Sequence, residues 1–196
     1  MEAADSRGRS ARERILDTAS ARFARDGYHA VGIDTIVAES GVAKMTLYRH
    51  FPSKDDLIAA YLERSNAEFW VWLEAELAAV AEPREKLIAA FEAVARQATS
   101  PRCLGCTFQA AAAEFPELAH PGHQVALAHK RRVLERLGTL ARAAHLRDPE
   151  ELAAQLLLLM DGAWVAARMF GPDNHAGTVH AAAQALIAAH ASPRTT

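Results

Sequence analysis

The chain has 196 residues, 22 lysines and arginines against 24 aspartates and glutamates, a net charge of -2 and two cysteines. That length holds one medium domain or a small domain fused to a larger one. The near-neutral charge supplies no bulk attraction to nucleic acid, and Cys103 and Cys106 are too close in sequence to staple a fold, which fits a reducing compartment. Alanine, leucine, glutamate and arginine dominate and strand-like alternation is nearly absent, so the expected fold class is all-α. No apolar run is read as reaching the roughly 18 residues that span a bilayer. The charged start, MEAADSRGRSARER, has no apolar signal region. A cytoplasmic protein away from membranes is expected.

A first helix is predicted from Ser10 to about Asp26. Ser10 and Glu13 form a capping box, and Ile15, Ala19 and Phe23 make one apolar stripe. Gly27 ends it. A second, short helix from about Ile33 to Ser40 buries Ile36 and Val37. Gly41 breaks it in a tight turn, and a third from about Lys44 to His50 buries Leu47, with Phe51 closing the core. Pro52 stops the chain, and Ser53 with Asp56 restarts it as a second capping box. Long helices follow, from about Lys54 to Ala81 and from Pro83 to Thr99. A sixth is predicted over Leu104 to Glu114, then a turn at Pro116 and a break at Pro121-Gly122. The seventh runs from about His123 to His145, the eighth from Pro149, a favoured first position, to Phe170, and the last from about Ala176 to His190.

Two short helices joined by a glycine turn and packed on a longer helix make a helix-turn-helix unit. Its second helix fits the DNA major groove. Lys44, Met45, Thr46, Tyr48, Arg49 and His50 are expected on its outer face or rim. Lys44 and Lys54 offer charge for phosphates, and Gly32 opens the second helix. Residues 1–60 carry nine basic and nine acidic side chains, so the argument rests on placement. Arg7, Arg9, Arg12 and Arg14 crowd the front, either as a DNA-contacting arm or as a solvated helix start.

The run Ile15, Ala19, Phe23, Gly27-Tyr28, Ile36, Gly41-Val42, Thr46-Leu47-Tyr48, His50-Phe51, Lys54 and Leu57 resembles the TetR/AcrR family of bacterial transcriptional regulators over roughly residues 9–69. The resemblance implies a homodimer of nine-helix subunits. It places a DNA-binding domain at 9–56, with the helix-turn-helix at 32–51, and a regulatory, ligand-binding and dimerisation bundle at 57–196. It also implies a palindromic double-stranded operator and a small-molecule effector that releases a repressor, with no cofactor or metal. There are departures. Gly32 stands where family members carry Thr or Ser, and Ala43 where Ser often caps the recognition helix. A missing cap costs about 1 kcal/mol, so that helix is expected to order fully only on DNA. Arg49 brings a guanidinium able to read guanine in two hydrogen bonds.

In the C-terminal part, the apolar eighth helix and the alanine-rich ninth are taken, by the resemblance, as the dimer interface, through Leu156, Met160, Ala163, Ala182 and Leu186. Asp161, on an apolar helix, needs a partner if buried. Effector-pocket candidates are Trp70, Leu73, Phe91, Phe108, Phe115, Met160 and Trp164, with Gln109, Glu114, His123 and His129 as polar contacts. The segment from Gly105-Cys106 through Phe115 to His129-Lys130 is similar to the C-terminal domain of a large TetR-type subgroup. Cys103-x-x-Cys106 raises a metal site completed by His120 or His123, a thiol switch with a depressed pKa, or two small apolar side chains at a helix start. Enzyme signatures such as GxSxG, GxGxxG, a Walker loop or HExxH are absent from the sequence, so catalysis is not expected. The rival readings are a redox-responsive regulator acting through Cys103 and Cys106, and a helical protein-interaction adaptor without specific DNA readout.

Overall fold

The computed structural model describes residues 10–191, so Arg7 and Arg9 of the arm lie outside the described residues. Helix α1 (Ala11–Asp26) opens on the expected capping box. Ser10 Oγ accepts the Glu13 N–H at 3.3 Å, and the Glu13 carboxylate accepts the Ser10 N–H at 2.7 Å. Ile15, Leu16, Ala19 and Phe23 are buried, and Gly27 ends the helix at φ +85°. Helices α2 (Ile33–Ser40) and α3 (Lys44–His50) follow at their expected bounds. Val37 is only half-buried; the inward positions of α2 are Ile36 and Ser40, four residues and about one turn apart.

Helix α4 (Lys54–Ala78) starts behind Ser53, whose hydroxyl accepts the Asp56 N–H at 3.0 Å. Helices α5 (Pro83–Ala98) and α8 (Pro149–Phe170) carry proline in their first turns, where no N–H is required. Helix α6 (Thr107–Glu114) begins three residues later than expected. Gly105 sits at φ +84°, outside helical geometry, and a Cβ there would meet Arg168 Cβ at 2.8 Å. Helix α7 (Pro121–Ala143) is opened rather than broken by Pro121-Gly122. Helix α9 (Val179–Ala189) follows a single 3-10 turn at His175–Thr178.

The described residues fall into two compact units. The first holds residues up to Asn66 together with Thr107–Leu127, and the second Ala67–Cys106 with the chain from Ala128 onward. A division at residue 56 therefore separates segments that the structure packs together, since α6 and the first turns of α7 belong with the helix-turn-helix. In the first unit Phe23, Tyr28 and Tyr61 cluster with ring centroids 5.4–6.1 Å apart, and Phe115 lies 5.6 Å from Tyr28. In the second, α5, α8 and α9 pack mutually around Leu87, Phe91, Leu152, Leu156, Met160 and Ile187. Contrary to the expectation of no spanning run, α8 is long and apolar enough to cross a bilayer by composition. Its buried face, however, is part of this core.

Candidate nucleic-acid interface

Helix α3 presents Lys44, Met45, Tyr48 and Arg49 to solvent, with Thr46 and His50 half-buried at the edges and Leu47 turned wholly into the core. Positions 44, 45, 48 and 49 share one helical face. Met45 is 81% exposed, an apolar side chain displayed where thymine methyls would be met. Arg49 makes no hydrogen bond or ion pair among the described residues, so its five donors are uncommitted. Lys44 reaches Asp34 at 2.7 Å, and this pairing raises its pKa. Both partners are well exposed, and such pairs exchange easily for another anion. Gly32 stands exposed at the N-terminus of α2 with no side-chain cap, leaving the amides of its first turn open.

Lys54 is placed differently. Its Nζ lies 3.4 Å from the His29 carbonyl, beside a cleft of about 380 Å³ that it lines with His29, Asp55 and His120. Burial pulls its pKa down.

Neither α2 nor α3 carries a side-chain N-cap, yet α3 is helical from Lys44 to His50. Long-range bonds hold the turn before it. Arg14 on α1 donates to the Ser40 carbonyl at 2.7 and 3.2 Å and to the Gly41 carbonyl at 2.8 Å. These are C-terminal carbonyls of α2 at the turn, where Gly41 takes the left-handed conformation at φ +61°. Arg14 is therefore a bracket inside the fold. Arg12 stands over the Phe51 ring at 5.1 Å. Arg22 ties α1 to Glu39 on α2, and Arg25 with Arg22 holds the Asp26 carboxyl down to about 2. In the loop between α1 and α2, the Glu114 carboxylate accepts the N–H groups of Tyr28 and His29 at 3.0 and 2.7 Å.

The expected effector residues divide between the units. Phe108, Gln109, Glu114 and His123 belong to the first; Trp70, Phe91, His129, Met160 and Trp164 belong to the second. Glu114 has the structural task just described, and His123 Nδ1 pairs with the Phe115 carbonyl at 2.7 Å. Phe91 and Met160 are core residues at 0% and 1% exposure. Trp70 receives the Arg132 guanidinium over its ring at 4.1 Å. His129 is buried and meets Phe69 edge-on at 4.8 Å. Burial, reinforced by Lys130 and Arg132, lowers its pKa to about 3 and keeps it neutral. Asp161 is ion-paired with Lys130 on α7, a partner of the kind its place on an apolar helix calls for.

The expected dimer contacts are corrected in the same way. Leu156, Met160 and Ala163 are at most 4% exposed within the protomer, so a second subunit gains almost no area from them. The outward apolar residues of α8 are Leu158, Val165, Met169 and Phe170. On α9, Ala182 is exposed and Leu186 half-buried. Cys103 and Cys106 are free, half-buried and in the second unit, whereas His120 and His123 are in the first. Burial pushes the Cys103 thiol up, opposite to an activated thiol. Among the described residues no three His, Cys, Asp or Glu side chains gather as a metal site.

The paired short helices, their bracketed turn and the outward face of α3 define a helix-turn-helix regulator of the DNA-binding class. Comparison with known proteins makes the assignment narrower. Residues 15–61 match the bacterial regulatory proteins of the tetR family. The solved structure of SCO4454, a TetR-family transcriptional regulator from Streptomyces coelicolor, superposes with a TM-score of 0.87 at 33% identity, covering 93% of this chain and 96% of that one. A transcriptional regulator from Saccharomonospora viridis, solved in complex with choline, gives a TM-score of 0.76 at 27% identity over 91% and 95% of the two chains. The chain is also 39% identical over 82 residues to the HTH-type transcriptional activator FasR of Mycolicibacterium smegmatis, covering 42% of this chain and 37% of that protein. Matches to the first curated relatives span less than half of their length. The chain belongs to the TetR family, a family of transcriptional regulators and not of enzymes.

Proposed function

We propose that the protein is a dimeric repressor that reads a palindromic operator through α3 and leaves it when a small molecule occupies the C-terminal bundle. The observation that carries this reading is the solvent face of α3, with an uncommitted Arg49 beside Met45 and Tyr48 on a helix that follows a turn held by Arg14. Arg49 would read guanine, Met45 and Thr46 the neighbouring bases. Lys44, Tyr48, His50, Lys54 and the open amides behind Gly32 would meet phosphates. The cytoplasm is the expected location.

A two-fold reader needs two half-sites about one DNA turn apart. The outward apolar row of α8 and the exposed alanines Ala181, Ala182 and Ala185 of α9 support pairing of these helices with their copies. Effector release is supported by family membership and by the choline held by one solved relative. Within the second unit Trp70, His129 and Trp164 remain the pocket residues we favour. The redox alternative is disfavoured by the protonated, half-buried Cys103.

Selection of bound duplexes from a random pool by the purified protein, at stated salt, tests the reading. A recovered palindrome supports it. Weak salt-sensitive binding without a motif would replace it with the adaptor reading. Addition of candidate effectors to the selected duplex, with a promoter-reporter assay, then distinguishes repression from activation.

A further inference from the structure

We propose that Glu114 is a positioning residue for DNA reading, fixing the loop between α1 and α2 that leads to the uncapped start of α2. The inference rests on the reading of α2 and α3 as the DNA-binding pair. Glu114 is the last residue of α6, and its two carboxylate oxygens accept from two consecutive backbone amides, Tyr28 at 3.0 Å and His29 at 2.7 Å. Charge-assisted bonds of this length are among the stronger hydrogen bonds in proteins. The His29 ring completes the clasp, with Nε2 2.9 Å from the Glu114 carbonyl, one of the orphan carbonyls at the end of α6.

The approach is possible because residue 27 is glycine. Its φ is +85°, and a Cβ there would fall 2.8 Å from Glu114 Oε1. The other end of α6 holds the same loop. Thr107, its first residue, bonds through its hydroxyl to the Tyr28 hydroxyl at 2.6 Å and donates to the Tyr61 hydroxyl at 2.8 Å. Its carbonyl also accepts from Tyr28 at 2.9 Å. Tyr28 is 1% exposed, so this is a buried junction. Residues 28 and 29 lie four and three positions before Gly32, the uncapped start of α2. Helix α6 is thus a strut about 12 Å long with each end fastened to the loop that sets where α2 begins. Arg14 holds the C-terminal end of α2, so one charged clamp lies on the loop before the reading pair and one on the turn within it.

The test compares Glu114→Gln with Glu117→Gln, a nearby exposed carboxylate outside the clasp. The amide keeps the size of the side chain but points an NH2 at one of the two backbone donors. Affinity is measured for the palindrome selected by the unaltered protein and for an unrelated duplex of equal length, at fixed salt and protein concentration. Amide hydrogen exchange at Tyr28 and His29 is followed in parallel. Loss of one charge-assisted bond should lower palindrome affinity by about tenfold. Binding to unrelated duplex, set by phosphate contacts, should stay within about twofold. Exchange at the two amides should quicken, and Glu117→Gln should change nothing. An unchanged affinity ratio, or slow exchange at both amides, overturns the proposal. Should Glu114→Gln fail to fold, Thr107→Val, which removes the other fastening, is decided by the same ratio. If the unaltered protein selects no palindrome, the DNA-reading assignment fails instead, while amide exchange still judges the clamp.

Discussion

Arg14→Ala should destabilise the first unit substantially, although Arg14 lies on the solvent-facing front of the sequence. Its guanidinium makes two bonds to the Ser40 carbonyl, at 2.7 and 3.2 Å, and one to the Gly41 carbonyl at 2.8 Å. Hydrogen bonds to charged groups contribute about 1.5–3 kcal/mol each. The Gly41 bond is exposed and water replaces it readily, so we count mainly the part-buried Ser40 pair, treated as one bond with a second weak arm. That gives a loss of about 2–3 kcal/mol. For a chain of this size the thermal midpoint should fall by roughly 5–10 °C. Arg14→Lys keeps the charge but not the fork, and should lose about half as much. Urea unfolding at fixed protein concentration is the assay. The tryptophans, at 70, 72 and 164, all lie in the second unit, and the tyrosines, at 28, 48 and 61, all lie in the first. Tyrosine fluorescence excited in the variant should therefore report the earlier loss, with tryptophan emission following only as far as the units unfold together. A change below about 0.5 kcal/mol on both probes would refute the bracket, because that is what a solvated surface arginine gives.

Three further outcomes are expected. Arg49→Ala should cost about 1–3 kcal/mol on the selected palindrome and relax preference at one base pair per half-site, read by repeating the selection; an unaltered motif removes its readout role. Leu158→Arg should leave the protomer folded, since this side chain is 72% exposed, but shift sedimentation from dimer to monomer; a persisting dimer would place the interface elsewhere. His129 has a folded-state pKa of about 3, below its ordinary 6.5, so the unfolded chain takes up the proton first. Its contribution is intact above pH 6.5 and is lost as pH falls from there toward 3, by up to about 1.4 kcal/mol per pH unit. His129→Leu should flatten that slope in urea titrations followed by tryptophan emission between pH 7.5 and 5, and equal slopes in both proteins would contradict a neutral buried ring.

The helices were legible because their signals are local. Ser10 with Glu13, the 15-19-23 stripe and the Gly27 and Gly41 stops are each set within a few residues. The errors fall where a distant contact overrides the local rule. Residues 104–106 include a glycine, the poorest helix former after proline, and Gly105 takes φ +84° where the backbone passes Trp164 and Arg168. Pro121-Gly122 looked like a breaker, yet proline at a first turn lacks only a donor the helix does not use there. Of the expected dimer residues, Leu156, Met160 and Ala163 of α8 turn out to face the protomer's own core. The polar residues of α8, Glu151, Gln155, Asp161 and Arg168, are too sparse among its leucines and alanines to mark its inward positions sharply.

The same distinction separates what the sequence revealed of the site from what it hid. The reading face is a run of seven residues, so Lys44, Met45, Tyr48 and Arg49 could be named from spacing alone. Arg14 and Glu114 could not, because the partners of Arg14 lie 26 and 27 residues away and those of Glu114 lie 85 and 86 away, and all of them are backbone atoms that leave no mark in the sequence. Two faint signals were present. Glu114 is the lone carboxylate ending an alanine run, and Gly27 follows a helix by spacing but also vacates the volume a carboxylate fills. The absence of caps at Gly32 and Ala43 was visible, and local physics alone made it a weakness of the recognition helix. With the C-terminal end of α2 held by Arg14 from α1 and the loop before it held by Glu114 from α6, the missing caps change meaning. The reading pair owes its placement to its neighbours α1 and α6 as well as to its own buried side chains Ile36 and Leu47.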